Sequence, residues 1–331
     1  MSSATDSSAT DRSATDRGVI TGVLTGGAGD GRGDNRGGAA ARTATGSRAA
    51  KRPGPAAERR RELGWPQYAR GQFLLSWRVF WRNRRSTFIG FLLPVLLNLV
   101  VAAPLRDKEI GGVNAAAYST VGFIGFALVT SFINLLNGVV ARRDDLVLKR
   151  LRGTEVPATA IFAGQFGAAG AVVLLQVLLL GGLSVGWFGA PLPADPLLFA
   201  LTLVAGYLLF AVLAVALSGL TRSAEAAPMV ATPVLLVCMF GSGVVAPLSS
   251  MPHWLQGPAH NLPLAPVVET LRTAWFGRPF GAETWSGGAL ARIDLLHGWQ
   301  HAAGSLLLVA AWTAGAAVLG RRLFRWEPRH G

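Results

Sequence analysis

RRDDLVLKRLRGTEVP, residues 142–157, is a charged segment between two long apolar runs, and its reading decides how the chain is organised. Arg142, Arg143, Lys149, Arg150 and Arg152 outnumber Asp144, Asp145 and Glu155. Leu151 follows Val147 by four positions and Leu148 by three, which predicts one short amphipathic turn. Asp144 and Asp145 suit the positive end of such a helix, and Lys149 to Arg152 its negative end. Gly153 then supplies a C-cap and Pro157 blocks further helix. A turn with an apolar face among charges suits docking into a soluble partner. The competing reading is a solvated basic loop that only fixes topology.

The flanking runs set the class. Apolar residues make up 51% of the chain and charged residues 15%, too apolar a mixture for a soluble globule of this size. Six runs are each close to the ~20 residues that a bilayer-spanning helix needs: 86–105, 119–141, 160–187, 197–220, 228–248 and 298–320. The fold class is therefore all-α, a polytopic membrane protein with six transmembrane helices. The net charge of +13 is spread along the edges of these runs, which argues against nucleic acid as a partner and for the lipid bilayer. Cys238 is the only cysteine, so the chain has neither a disulfide framework nor a cysteine metal cluster.

Residues 1–65 form a separate, low-complexity domain. SATD recurs at 3–6, 8–11 and 13–16, and a Gly/Arg/Ala-rich stretch follows. So little apolar content cannot offset the entropy of ordering, and we expect a disordered cytosolic extension ahead of a permease-like domain at 66–331. A nucleic-acid or lipid-binding arm is the alternative, weakened by Asp6, Asp11, Asp16, Asp30 and Asp34. In the next stretch Phe73, Trp77, Phe80 and Trp81 share one helical face, while Arg70, Arg78, Arg82, Arg84 and Arg85 mostly occupy others. Aromatics opposite arginines are the pattern of a helix lying in the headgroup plane.

Basic residues cluster on alternate connections. Arg78 to Arg85, Arg142 to Arg152, Arg222, and Arg321, Arg322, Arg325 and Arg329 fall on one side. Opposite them, Arg106 and Lys108 are balanced by Asp107 and Glu109, and 189–196 has no basic residue. The last connection on that side pairs Arg272, Arg278 and Arg292 with Glu269, Glu283 and Asp294. Excess Lys/Arg marks the cytosol, which places both termini inside a multi-pass cell-membrane protein. The outward segment 249–297 is too long and too apolar for a slack tether, and it predicts short helices dipping back toward the membrane.

No Asp, Glu, Lys or Arg falls inside the six runs as drawn, which disfavours coupling to protons or sodium through an intramembrane charge. No GxxxxGK[ST] phosphate loop occurs, so this chain is not expected to hydrolyse nucleotide. His297 and His301, with Asp294 nearby, can be written as a metal pair, but two interfacial histidines more often serve as polar tips, and no metal is assigned. Asn134 and Asn137 share a face of the second run, and Asn98 lies in the first. Each can be helix–helix glue; together with Phe123, Phe126, Phe132, Met239 and Phe240 they can line a cavity for a bulky amphipathic molecule.

Three segments then carry a resemblance: LKRLRGTEVPA at 148–158, GSGVVAPLSSMPHWLQ at 241–256 and LPLAPVVETLR at 262–272. With the runs between them they resemble the membrane subunit of a type 2 ATP-binding-cassette exporter, in the branch similar to actinobacterial daunorubicin and multidrug-resistance permeases. Glu155 stands where that family commonly has proline, with Pro157 two residues later. The resemblance implies a permease dimer paired with separate ATPase subunits, which bind the ATP and magnesium; this chain itself carries no cofactor and is not an enzyme. It implies that Val147, Leu148, Lys149, Arg150, Leu151 and Arg152 form the coupling helix. Phe73, Trp77, Arg78, Trp81 and Arg82 belong to the interfacial helix. Asn98, Phe123, Phe126, Asn134, Asn137, Met239 and Phe240 border a pathway for a lipophilic substrate, and Met251 and Trp254 stand at an extracellular gate. A polysaccharide or lipid exporter permease, and a membrane-embedded enzyme or scaffold, remain as alternatives.

The charge asymmetry yields a topology test. Reporter fusions within 221–227 should report from the cytosol, and fusions within 189–195 and 281–288 from outside; a cytosolic signal at 281–288 rules out the six-span arrangement.

Overall fold

A computed structural model of the chain describes residues 64–144, 157–221, 223–245, 247–281 and 288–323. The expected disordered extension at 1–65 falls outside the described residues except for its last two positions. The fold is mostly helical, with one two-stranded hairpin.

Helix α1 (Trp65–Arg82) has proline at its start and ends at Asn83. A four-residue turn, α2 (Arg84–Thr87), runs into a π-helical segment, Phe88–Leu92, and then into α3 (Leu93–Ala102). Strands β1 (Glu109–Ile110) and β2 (Val113–Asn114) pair antiparallel around Gly111 and Gly112, and α4 (Ala115–Asp144) follows directly. Then come α5 (Ala158–Gly186), α6 (Pro196–Ser218), α7 (Ala227–Gly241), α8 (His253–His260), α9 (Ala265–Phe276) and α10 (Leu295–Leu323).

Five segments among the described residues are long and apolar enough to cross a membrane: Phe88–Leu105, Ala115–Arg143, Thr159–Gly186, Pro196–Ser218 and Leu295–Leu323. They correspond to five of the six expected runs. The remaining run, expected over 228–248, is helical only across Ala227–Gly241. At 15 residues that helix is about 22 Å long, short of the ~30 Å hydrocarbon core. The chain leaves the helix at Ser242 and Gly243, and Gly243 takes a φ of 71° that stops helical propagation.

The core is built around α4. Its 30 residues make it about 45 Å long, and α3, α5, α6, α7 and α9 all pack against it. Helix α4 also continues past Ala141, where the expected run ended, so Arg142 and Arg143 stand on its last turn. Helix α9 is buried along its whole length apart from Glu269, wedged among α4, α6 and α10. The expected short helices in 249–297 are thus α8 and α9, and α9 is a core element with no solvated face. Helix α10 lies outermost, against α6 and α9.

Helix α1 docks along α5. Trp65 Nε1 donates to Thr159 Oγ1 at 3.0 Å, and the closest approach falls at Gly164. A Cβ there would lie 2.6 Å from the Ala69 carbonyl oxygen and 2.7 Å from the Phe73 nitrogen, both backbone atoms that cannot step aside. Small residues let helices meet this closely in a membrane. Gly164→Leu should therefore force α1 off α5 at a cost of about 1–3 kcal/mol, read as faster tryptic cleavage at Arg70 and Arg78. Gly71→Ala, whose Cβ meets nothing within 4 Å, should cleave at the wild-type rate.

Candidate functional site

Pro94 begins the construction of the site. It has no N–H to give the carbonyl four residues earlier, which is that of Gly90 in the π-helical segment. Gln176 Nε2 on α5 donates to this oxygen at 3.0 Å and to the Phe91 oxygen at 3.2 Å, and Thr130 Oγ1 on α4, which donates to the Ala127 carbonyl at 2.9 Å, lies 3.4 Å from the Gly90 oxygen. A Cβ on Gly90 would collide with Asn134 Nδ2, so a larger residue there would displace the Asn134 side chain.

Beside this junction lies a cavity of about 450 Å³, bounded by α1, the π-helical segment, α4 and α5. Its apolar wall includes Phe80, Leu135, Ala168 and Val172, and Leu75 and Val79 of α1 are half exposed at its rim. Its polar wall holds Ser131, Asn134, Asn137, Arg142, Gln165 and Gln176. Four buried atoms on that wall have no hydrogen-bond partner among the described residues: Ser131 Oγ, Asn137 Oδ1, Arg142 Nη1 and Gln176 Oε1. Each such atom costs about 1–3 kcal/mol when left unsatisfied, so their convergence on one space makes this cavity the candidate site for a polar occupant.

The last turn of α4 ties this site to both neighbours. Arg142 Nη2 donates to Ser76 Oγ on α1 at 2.7 Å. Arg143, buried, turns the other way and donates to the Ser218 and Thr221 carbonyls at 2.9 and 2.6 Å, satisfying oxygens left over at the end of α6. The segment 145–156 springs from this braced turn. The coupling residues Val147, Leu148, Lys149, Arg150, Leu151 and Arg152 lie outside the described residues.

The other expected site residues are spread over several places. Phe73 stacks on Trp77 with centroids 6.1 Å apart, Trp77 meets Trp81 edge-on at 5.6 Å, and Arg78 and Arg82 are exposed. Asn134 and Asn137 line the cavity. Phe123 and Phe126 are buried in the core, edge to face at 5.9 Å, and do not reach it. Asn98 is fully buried on α3, Met239 is half buried and Phe240 is exposed on α7. Gln165, Gln176 and Ser131 were not expected at the site. The two glutamines are eleven positions apart, three helical turns, so their shared face was present in the sequence as a signal.

At the opposite end, α9 packs on α4, and α8 packs beside α9. Arg272 lies 3.6 Å over the Tyr118 ring and donates to Tyr118 Oη at 2.9 Å, the Tyr118 carbonyl at 3.3 Å and the Val244 carbonyl at 3.4 Å. Burial lowers the pKa of its guanidinium from the ordinary value, an effect that Tyr118 and Glu269 oppose. His260 Nδ1 sits 2.7 Å from Glu269 Oε1. Asp195 and Ala194 donate backbone N–H groups to Ala274 and Trp275, and Arg278 Nη1 donates to the carbonyls of Gly111 and Leu290, so the cap is stitched to both neighbouring connections. Met251 packs half buried beside Leu248, whereas Trp254 is 75% exposed. His297 pairs with Asp294, whose carboxyl pKa that hydrogen bond lowers, while His301 Nε2 lies 3.2 Å from the Phe280 oxygen. The two histidines therefore take separate partners. Arg272→Lys cannot reach all three acceptors and should lower stability by about 1.5–3 kcal/mol, measured by thermal unfolding in detergent. Trp254→Ala should stay within about 0.5 kcal/mol of wild type in the same measurement.

Comparison with known proteins agrees with this architecture. No curated protein matches the chain. Residues 73–276, from α1 through α9, match the family described as ABC-2 type transporter, which covers more than half of the chain. The chain belongs to the ABC-2 type transporter family, as the membrane-embedded permease component.

Proposed function

We propose that the chain is the permease of an ATP-driven exporter that moves a lipophilic drug or natural product out of the cell, as in the actinobacterial daunorubicin-type branch. The observation that carries this reading is the braced end of α4. Arg142 holds α1 and Arg143 holds α6 at the point where 145–156 begins, and the cavity lies immediately beside them. A partner that pulls on the connecting segment moves α1, α4, α5 and α6 together and reshapes the cavity. Separate ATPase subunits seat on Val147 to Arg152 and hold the ATP and magnesium.

In this reading α7 and the chain after it make the sixth crossing, both termini are cytosolic, and α8 and α9 dip inward from outside. Met251 and Trp254 stand at the outer gate. Two copies pair through α3 and α7. This pairing is supported by the stripe Phe88, Leu92, Leu96 and Val100, exposed at every fourth position, and by exposed Met229, Leu236, Val237 and Phe240. Asn98, Met239 and Phe240 then border the path between copies.

The test is at the coupling segment. Burying a side chain such as Leu148 contributes roughly 1.5–3 kcal/mol, and an unpaired charge there costs more. Leu148→Asp combined with Leu151→Asp should leave an inserted permease that loses both its co-purifying ATPase and efflux. Lys149→Ala should change either by little, since exposed charges contribute about 0–1 kcal/mol. Wild-type ATPase binding by the double variant would leave 142–157 as a topological anchor only.

A further inference from the structure

We propose that the cavity between α1, α4 and α5 binds an anionic amphiphile whose headgroup carries free hydroxyls, the chemistry of a phosphatidylglycerol headgroup. This rests on the membrane location of the chain and not on which compound it exports. The four unpartnered atoms define the ligand by complementarity. Arg142 Nη1 is a cationic donor, Asn137 Oδ1 and Gln176 Oε1 are acceptors, and Ser131 Oγ can serve as either. Among the described residues that line the cavity, Arg142 is the sole charged side chain, and no described acid faces it there. A ligand that satisfies the wall must therefore bring one negative group for Arg142 and donors for the two amide oxygens, and uncharged hydroxyls serve without adding a second cation beside the guanidinium. A choline headgroup offers no such donor. Inorganic phosphate offers charge but nothing for Phe80, Leu135, Ala168 and Val172.

Access and surroundings favour a molecule with acyl chains. Leu75 and Val79, 51% and 55% exposed, stand at the rim. Leu74 and Trp81 continue this apolar surface along α1, interleaved with exposed Arg78 and Arg82. Such a helix lies at headgroup depth and gathers anionic lipid. A headgroup entering past Leu75 and Val79 leaves its chains along α1. Gln176 also holds the Gly90 and Phe91 carbonyls, and Arg142 holds Ser76, so the occupant bears on the two ties that join α1, α3, α4 and α5.

The full-length permease, purified in non-ionic detergent, is titrated with dihexanoyl-phosphatidylglycerol and with dihexanoyl-phosphatidylcholine, and binding is read by native mass spectrometry and thermal shift. The glycerol lipid should bind about tenfold or more tightly than the choline lipid. Arg142→Gln and Gln176→Leu should each remove that preference. Ala169→Leu, which fills the cavity without touching its polar wall, should do the same and carries the test if Arg142→Gln misfolds. Equal binding of the two lipids, or an unchanged preference in a folded Arg142→Gln or Ala169→Leu variant, overturns the proposal. Protein extracted from its native membrane separates the sources. A retained phosphatidylglycerol adduct, lost in Arg142→Gln, identifies a bilayer lipid. No retained adduct, with selective dihexanoyl-phosphatidylglycerol binding intact, identifies a transient amphiphile of the same headgroup chemistry. Loss of efflux in the coupling-segment variant leaves either result untouched.

Discussion

A carbonyl at membrane depth must find its donor within the protein, and Pro94 has no N–H to offer the Gly90 oxygen four residues earlier. Gln176 supplies one from α5, and Thr130 of α4 packs 3.4 Å from the same oxygen. That single oxygen is thus a point where α3, α4 and α5 are held to a common geometry. The wide π-helical turn, the missing side chain at Gly90 and the position of Asn134 all follow from meeting the same need. The cavity is the space this junction leaves beside α1.

Three arginines on the inside of the fold show three outcomes of burying the same group. Arg143 spends its donors on the end of α6, and Arg272 spends its own on Tyr118 and Val244, so both act as fasteners. Arg142 is fastened by one nitrogen only, and its other nitrogen opens into the cavity. A guanidinium is rigid and multiply donating, which lets one side chain join helices at one nitrogen and present charge at another. In the proposed reading this arrangement puts mechanical bracing and ligand recognition on the same residue, at the root of the proposed coupling segment.

Much of the architecture was legible beforehand because apolarity and length are local properties. Phe88–Leu105, Ala115–Arg143, Thr159–Gly186, Pro196–Ser218 and Leu295–Leu323 each follow from a run that could be drawn without knowing its neighbours. The places where the reading fell short are those where a neighbour decides. Arg142 and Arg143 looked like the start of a loop, but α4 keeps its helix through them because Ser76 and the end of α6 receive their charge. Arg272 read as a charge of the outer connection, yet it is taken inside with α9 because Tyr118 and Val244 offer it partners.

By itself, then, the sequence determined a membrane-spanning helical chain with charged connections and an aromatic helix ahead of the first span, since hydropathy, helical period and charge placement need only neighbouring residues. Tertiary structure alone decided which polar groups meet. Gln176 and Gly90 are 86 positions apart, and Arg272 and Tyr118 are 154 apart. It also separated Asn134 and Asn137, which reach the cavity, from Phe123 and Phe126, which remain in the core. The physical reason is that a buried polar group is stable only where a distant segment completes its hydrogen bonds, and one stretch of sequence does not contain that segment.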